Sequence, residues 1–156
     1  MKWSFREIWG IDMKVNSFVS IALLCFAFGC TATKNSSSLF SEYESYLRDV
    51  NRENLSKVYS GYFSPALLEG ESIHNLDVVD QLMFKNYMDR MDSHFQSKGN
   101  SVGCLSVNGF DLENMPVTFR LRYSKPTNWL IEEVQVRFVN SITDFDRSAK
   151  CPEAAT

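Results

Sequence analysis

The residues with the most chemistry open to them are four cysteines, Cys25, Cys30, Cys104 and Cys151, and two histidines, His74 and His94. The cysteines stand singly, with no C-x-x-C pair, a pattern that argues against a zinc knuckle or a dithiol redox site. A cysteine nucleophile or a metal centre needs a histidine close by, and neither histidine has such spacing to Cys104 or Cys151. Asp77 and Asp80, one helical turn apart, form a candidate carboxylate pair, although charge favourable to a helix N-terminus explains the same residues. Were the chain an enzyme, His74, Asp77 and Asp80 would be the first catalytic candidates. Tyr43, Tyr59, Tyr62, Tyr87, Phe119 and Trp129 are candidate lining for an amphipathic pocket, and equally candidates for a packed core. No dinucleotide fingerprint, phosphate loop, nucleophile elbow or H-E-x-x-H occurs, so no catalytic residue or metal ligand is assigned and no cofactor is implied.

The elements that must hold these residues read as helices first and strands after. A chain of 156 residues allows one ordinary domain, and its net charge of −3 offers no positive surplus for nucleic acid. Leu39, Phe40, Tyr43, Tyr46, Leu47 and Val50 repeat at helical spacing behind Ser38 as cap. Asn51 is placed to cap a second helix bearing Leu55, Val58, Tyr59 and Tyr62, and Ser64-Pro65 starts a short turn that Gly70 closes. A third helix is expected from about Leu76 to Lys98, striped by Phe84, Met88, Met91 and Phe95, with Gly99 as its cap. From Asn100 the period changes to two. A modest strand is expected at 102–107, and Val117, Phe119, Leu121 and Tyr123 alternate strictly with Thr118, Arg120 and Arg122. The returning strand carries Val134, Val136 and Phe138, out of phase with Trp129 and Ile131, which predicts a bulge near Glu132-Glu133. Arg120, Arg122 and Arg137 with Glu132 and Glu133 are expected to pair across a solvated outer face.

The N-terminal segment reads as an address. Val15 to Phe28 is free of charge, follows Lys14, is too short to span a bilayer and suits the core of a secretory signal. It ends in Ala27-Phe28-Gly29-Cys30, followed by a polar stretch. This segment resembles a bacterial lipoprotein signal peptide with its lipobox, in which a small residue precedes a cysteine that receives a diacylglyceryl group. Gly29-Cys30 matches the two positions that matter most, while Ala27 and Phe28 depart from the usual Leu and small residue. Starting at Met13 gives a compact leader, which makes it a candidate initiator, the alternative being a longer n-region from Met1 that carries Lys2, Arg6 and Lys14. The resemblance implies a signal peptide over 1–29, lipidated Cys30 with a flexible tether over 30–38, and a globular domain over 39–156. It also implies a membrane partner through the lipid anchor, and an envelope location. In a Gram-negative host, Thr31 in place of Asp after the cysteine favours the outer membrane, facing the periplasm.

With Cys25 removed in the leader and Cys30 acylated, Cys104 and Cys151 are left in an oxidising compartment, and the resemblance thus implies a disulfide between them. The mature chain carries a second resemblance. Asn54 to Leu68, with its Tyr62-Phe63-Ser64-Pro65 corner, and the late Trp129-to-Val136 strand resemble the nuclear transport factor 2-like (cystatin-like) domains. These are α+β cones in which N-terminal helices pack on a curved antiparallel sheet. The expectation is therefore a single α+β domain, lipid-anchored in the envelope and acting as a binding or structural module. Its partner would be another envelope protein or a small apolar ligand. The alternative is a small cone-fold enzyme or apolar-ligand carrier using the cone interior.

Overall fold

The computed structural model describes residues 37–153 except residue 69. The expected leader with Met13 and Cys25, the expected lipidation site Cys30 and most of the expected tether lie outside the described residues. The chain forms α1 (Leu39–Asp49), α2 (Leu55–Tyr62), a 3₁₀ turn at Pro65–Leu68, α3 (Leu76–Leu82) and a second 3₁₀ turn at Phe84–Tyr87. Four strands follow, β1 (Arg90–Lys98), β2 (Val102–Phe110), β3 (Pro116–Ser124) and β4 (Leu130–Phe138), and then a 3₁₀ turn at Ile142–Asp144. The strands make one antiparallel sheet in the order β1-β2-β3-β4. This is the expected α+β domain, helices laid on an antiparallel sheet.

Local chemistry accounts for the helix starts. The Ser38 side chain accepts from the Ser41 amide at 2.9 Å, and the Asn75 side chain caps α3 through the Asp77 amide. Asn51 does not cap α2 directly. Asn51 and Asn54 exchange side-chain-to-amide bonds at 2.8 and 2.9 Å, and Asn54 is the capping residue.

The third helix is the main correction. It stops at Leu82, Phe84–Tyr87 tightens into a 3₁₀ turn, and Arg90–Lys98 is a strand paired along its length with β2. Met91 and Phe95 are the large apolar residues of that stretch, and a spacing of four suits a strand face as well as a helix face. The ladder with β2, eight residue pairs interrupted by a bulge at Asp92, decides between them, because it supplies backbone partners that a polar, exposed helix would have had to find alone. Gly99 accordingly sits in the β1–β2 turn, where its amide donates to Val102 O at 2.9 Å. Gly109 in β2 is required by packing, because a Cβ there would overlap the Arg90 carbonyl and the Met88 sulfur.

The hairpin β3–β4 follows its alternation. Arg122 pairs with Glu133 and Tyr123 with Ile131, so Glu132 is the extra residue, at the place where the change of phase predicted a bulge. The bulge returns Ile131 to the apolar face shared by Val134 and Val136. There Leu39, Tyr43, Tyr46, Leu55, Phe63 and Phe84 from the helical layer meet Leu105, Val107, Phe119, Leu121 and Tyr123 from the sheet. Tyr46 is central: its ring stacks on Phe84 with centroids 5.0 Å apart and meets Phe63 edge-on at 5.5 Å, while its hydroxyl donates to Leu82 O at 2.8 Å.

Candidate functional site

On the face of the sheet away from the helices, Ser106 and Asn108 of β2 and Thr118 and Arg120 of β3 are covered rather than solvated. The chain after β4 folds back across it, and Cys104 of β2 and Cys151 are joined in a disulfide with Cα atoms 4.8 Å apart. Loop-closure entropy puts the ceiling on such a staple at about 4 kcal/mol. Beneath the segment lies Arg120, expected on an exposed face but 2% accessible. Its guanidinium grips Asp146 through Nε at 2.7 Å and Nη2 at 2.9 Å, and Nη1 pairs with Glu153. Ser106 donates to Asp146 at 3.0 Å, Asn108 donates to the Asp146 carbonyl at 2.8 Å, and Lys150 reaches the carboxylate at 2.9 Å. Burial works to raise the Asp146 carboxyl, yet hydrogen bonds from Arg120, Lys150 and Ser106 outweigh it and hold it down at about 2. A depression of about 500 Å³ beside this network is lined by Arg120, Arg137 and Lys150 against Asp144, Asp146 and Glu153, so its charges balance within the protein. Among the expected surface pairs, Arg122 does meet Glu132 at 3.4 Å and Glu133 at 3.9 Å.

A second opening has a different character. Between β4 and the α3 region lies a cleft of about 350 Å³. The turn at Pro65–Leu68 gives it Leu67 and Leu68, α3 gives Val78 and Leu82, and β4 gives Val134 and Val136, with Phe84 beside them. Glu71, Gln81 and Tyr87 complete the lining. The cleft exists because β4 runs past the reach of α1 and α2, so half-buried Val134 and Val136 are covered only by the short elements between residues 65 and 87. At its edge Tyr87, 47% accessible, meets Phe138, 57% accessible, edge-on with centroids 6.3 Å apart.

The candidate pocket residues separate in space. Tyr43, Phe119 and Trp129 are buried within the packed layer, Tyr59 and Tyr62 are half-buried at its margin, and Tyr87 alone of the six lines the cleft. Trp129 lies under the ammonium groups of Lys98 and Lys125, 5.2 and 5.4 Å from its ring. Burial pushes the hydroxyls of Tyr43, Tyr46 and Tyr123 above the ordinary tyrosine range, which keeps them protonated and removes them as bases. His74 is exposed in its loop, Asp77 is exposed in the first turn of α3, and Asp80 pairs with Arg52 at 2.6 Å on the surface. His94 belongs to β1, not to a helix, and stacks on Phe40 at 3.6 Å. The three catalytic candidates are thus not brought together with a pocket, and among the described residues no group of three His, Cys, Asp or Glu side chains is placed to hold a metal.

Sequence reasoning missed both the Arg120–Asp146 pair and the cleft. The first had one signal: a Cys104–Cys151 bridge requires the C-terminal segment to cross the sheet, and Asp146 lies just before Cys151. The second had none, because neither Glu71 nor Gln81 stands in any motif. Comparison of the chain with protein-family models, characterised proteins and solved structures gives no match.

Proposed function

We propose that this protein is a lipid-anchored module of the bacterial envelope that works by binding rather than by catalysis. The observation that carries the binding part is the division of apolar surface: the interior is filled by Tyr43, Tyr46, Phe84 and Phe119, and the space of ligand size lies in a surface cleft with apolar walls. The anchor rests on Gly29-Cys30 behind its charge-free run, with the outer membrane, facing the periplasm, as the location in a Gram-negative host. The Cys104–Cys151 bridge supports export, because disulfides persist in oxidising compartments. The helical layer preceding a hairpin with an inward Trp129 supports the likeness to nuclear transport factor 2-like domains.

Labelled palmitate tests the anchor: the wild-type chain takes up label and Cys30→Ala does not, while equal labelling of the two overturns it. Photo-crosslinking in intact envelopes from position 81, at the cleft, tests the binding role. One adduct of reproducible mass that is lost when Val136→Trp fills the cleft supports it; a smear of adducts unchanged by that substitution overturns it.

A further inference from the structure

We propose that the cleft between β4 and α3 takes a small cationic amphiphile, an aliphatic amine whose tail lies along Val134 and Val136 and whose ammonium group sits beside Glu71. The proposal rests on the binding-module reading and names its ligand class. Three observations carry it.

The size is that of a ligand site. About 350 Å³ falls at the small end of the range for pockets that hold organic molecules, and fits a short hydrocarbon chain better than a folded partner. The walls are hydrocarbon on three sides: leucines of the Pro65–Leu68 turn, Val78 and Leu82 of α3, and the two valines of β4. These valines are half-buried, so part of their surface still faces the cleft and an occupant would displace water from it.

The charge selects the head group. Among the described residues, Glu71 is the one charged side chain that lines the cleft. Among the described residues neither the Glu71 carboxylate nor the Gln81 amide has a hydrogen-bond or ion-pair partner. This contrasts with the depression over Arg120, where Arg120 and Lys150 are both paired with acids of the same chain. A fatty acid would bring a carboxylate against Glu71; an amine brings its complement, with the Gln81 carbonyl as a second acceptor. An exposed ion pair of this kind changes affinity by a factor of up to about five, and the repulsion avoided adds to it.

The test uses the full lipidated protein in nanodiscs of zwitterionic lipid, with leucine and valine methyl groups labelled for NMR, titrated with hexylammonium and separately with hexanoate. The expected result is a saturable shift of the Val78, Val134 and Val136 methyls, with core Leu55 and Leu121 unmoved and hexanoate at least about fivefold weaker. Glu71→Gln, a surface change that leaves the fold alone, should make the two ligands equal, and Val136→Trp should abolish saturation. Equal affinity of the two ligands for the wild-type protein overturns the proposal while leaving a binding cleft in place. Shifts that never saturate, or that appear at exposed Val102 and Leu112 instead, overturn it altogether. The palmitate experiment stands apart, since loss of nanodisc attachment in Cys30→Ala reads the anchor and not the cleft.

Discussion

Phe119, Leu121 and Tyr123 on one side of β3 meet the helices through hydrocarbon, while on the other side Arg120 meets the C-terminal segment through charge and Thr118 donates to Asn108 of β2, which in turn donates to the Asp146 carbonyl. Both sides are buried, and they hold in different ways. Apolar contact is non-directional and spread over many residues, so each contributes in proportion to its area. The opposite side concentrates its interactions in one guanidinium, whose removal takes from a buried carboxylate its buried cation. A strand with both faces covered thus gains a tolerant side and an exacting one.

The largest test of that contrast is on the tolerant side: Phe119→Ala should cost about 4 kcal/mol in chemical denaturation, because it leaves a cavity among Phe84, Leu105 and Leu121. Next, Arg120→Ala should cost about 3 kcal/mol by taking the buried partner from Asp146 and leaving it only Ser106 and the half-exposed Lys150, whereas Arg120→Met combined with Asp146→Leu should cost less than the single change. A double variant as unstable as the sum of its parts would show that the ion pair contributes on its own account. Reduction of the Cys104–Cys151 bridge should lower stability by about 3 kcal/mol and expose the segment to protease before the helical layer, a sequence that limited proteolysis with mass analysis reads directly.

The charged side should also be the side that responds to acid. Asp146 is held at about 2 against an ordinary 3.8. A folded pKa below the unfolded one stabilises the protein above the ordinary value and is lost as pH falls toward 2. Unfolding free energy should therefore decline by about 2 kcal/mol across that window, and the decline should vanish in the double variant. The smallest effect belongs to Tyr46→Phe, about 1 kcal/mol, since it keeps the ring contacts and removes only the bond to Leu82 O.

How far the chain could be read in advance varied by element. The β3–β4 hairpin and its bulge were legible because alternation with period two is a local property, and the phase error at Ile131 has one local remedy. The first helix and its Ser38 cap were legible for the same reason. Arg90–Lys98 was not: Met91 and Phe95 satisfy both periods, and the choice was made by a partner strand distant in the chain. Arg120 was placed on the correct face and given the wrong surroundings, because alternation says which way a side chain points and not what will lie over it.

The sequence by itself determined the order of helices before strands and the pairing of β3 with β4, since each follows from spacing within short windows, while the joining of Cys104 to Cys151 was only implied by the lipoprotein resemblance until the fold brought them together. Only the tertiary structure decided that β1 is a strand, that Arg120 is buried against Asp146, and that a cleft opens beside Val134 and Val136. These depend on which segments reach one another in space, and backbone pairing, charge burial and uncovered apolar surface are properties of that contact rather than of any one stretch of chain.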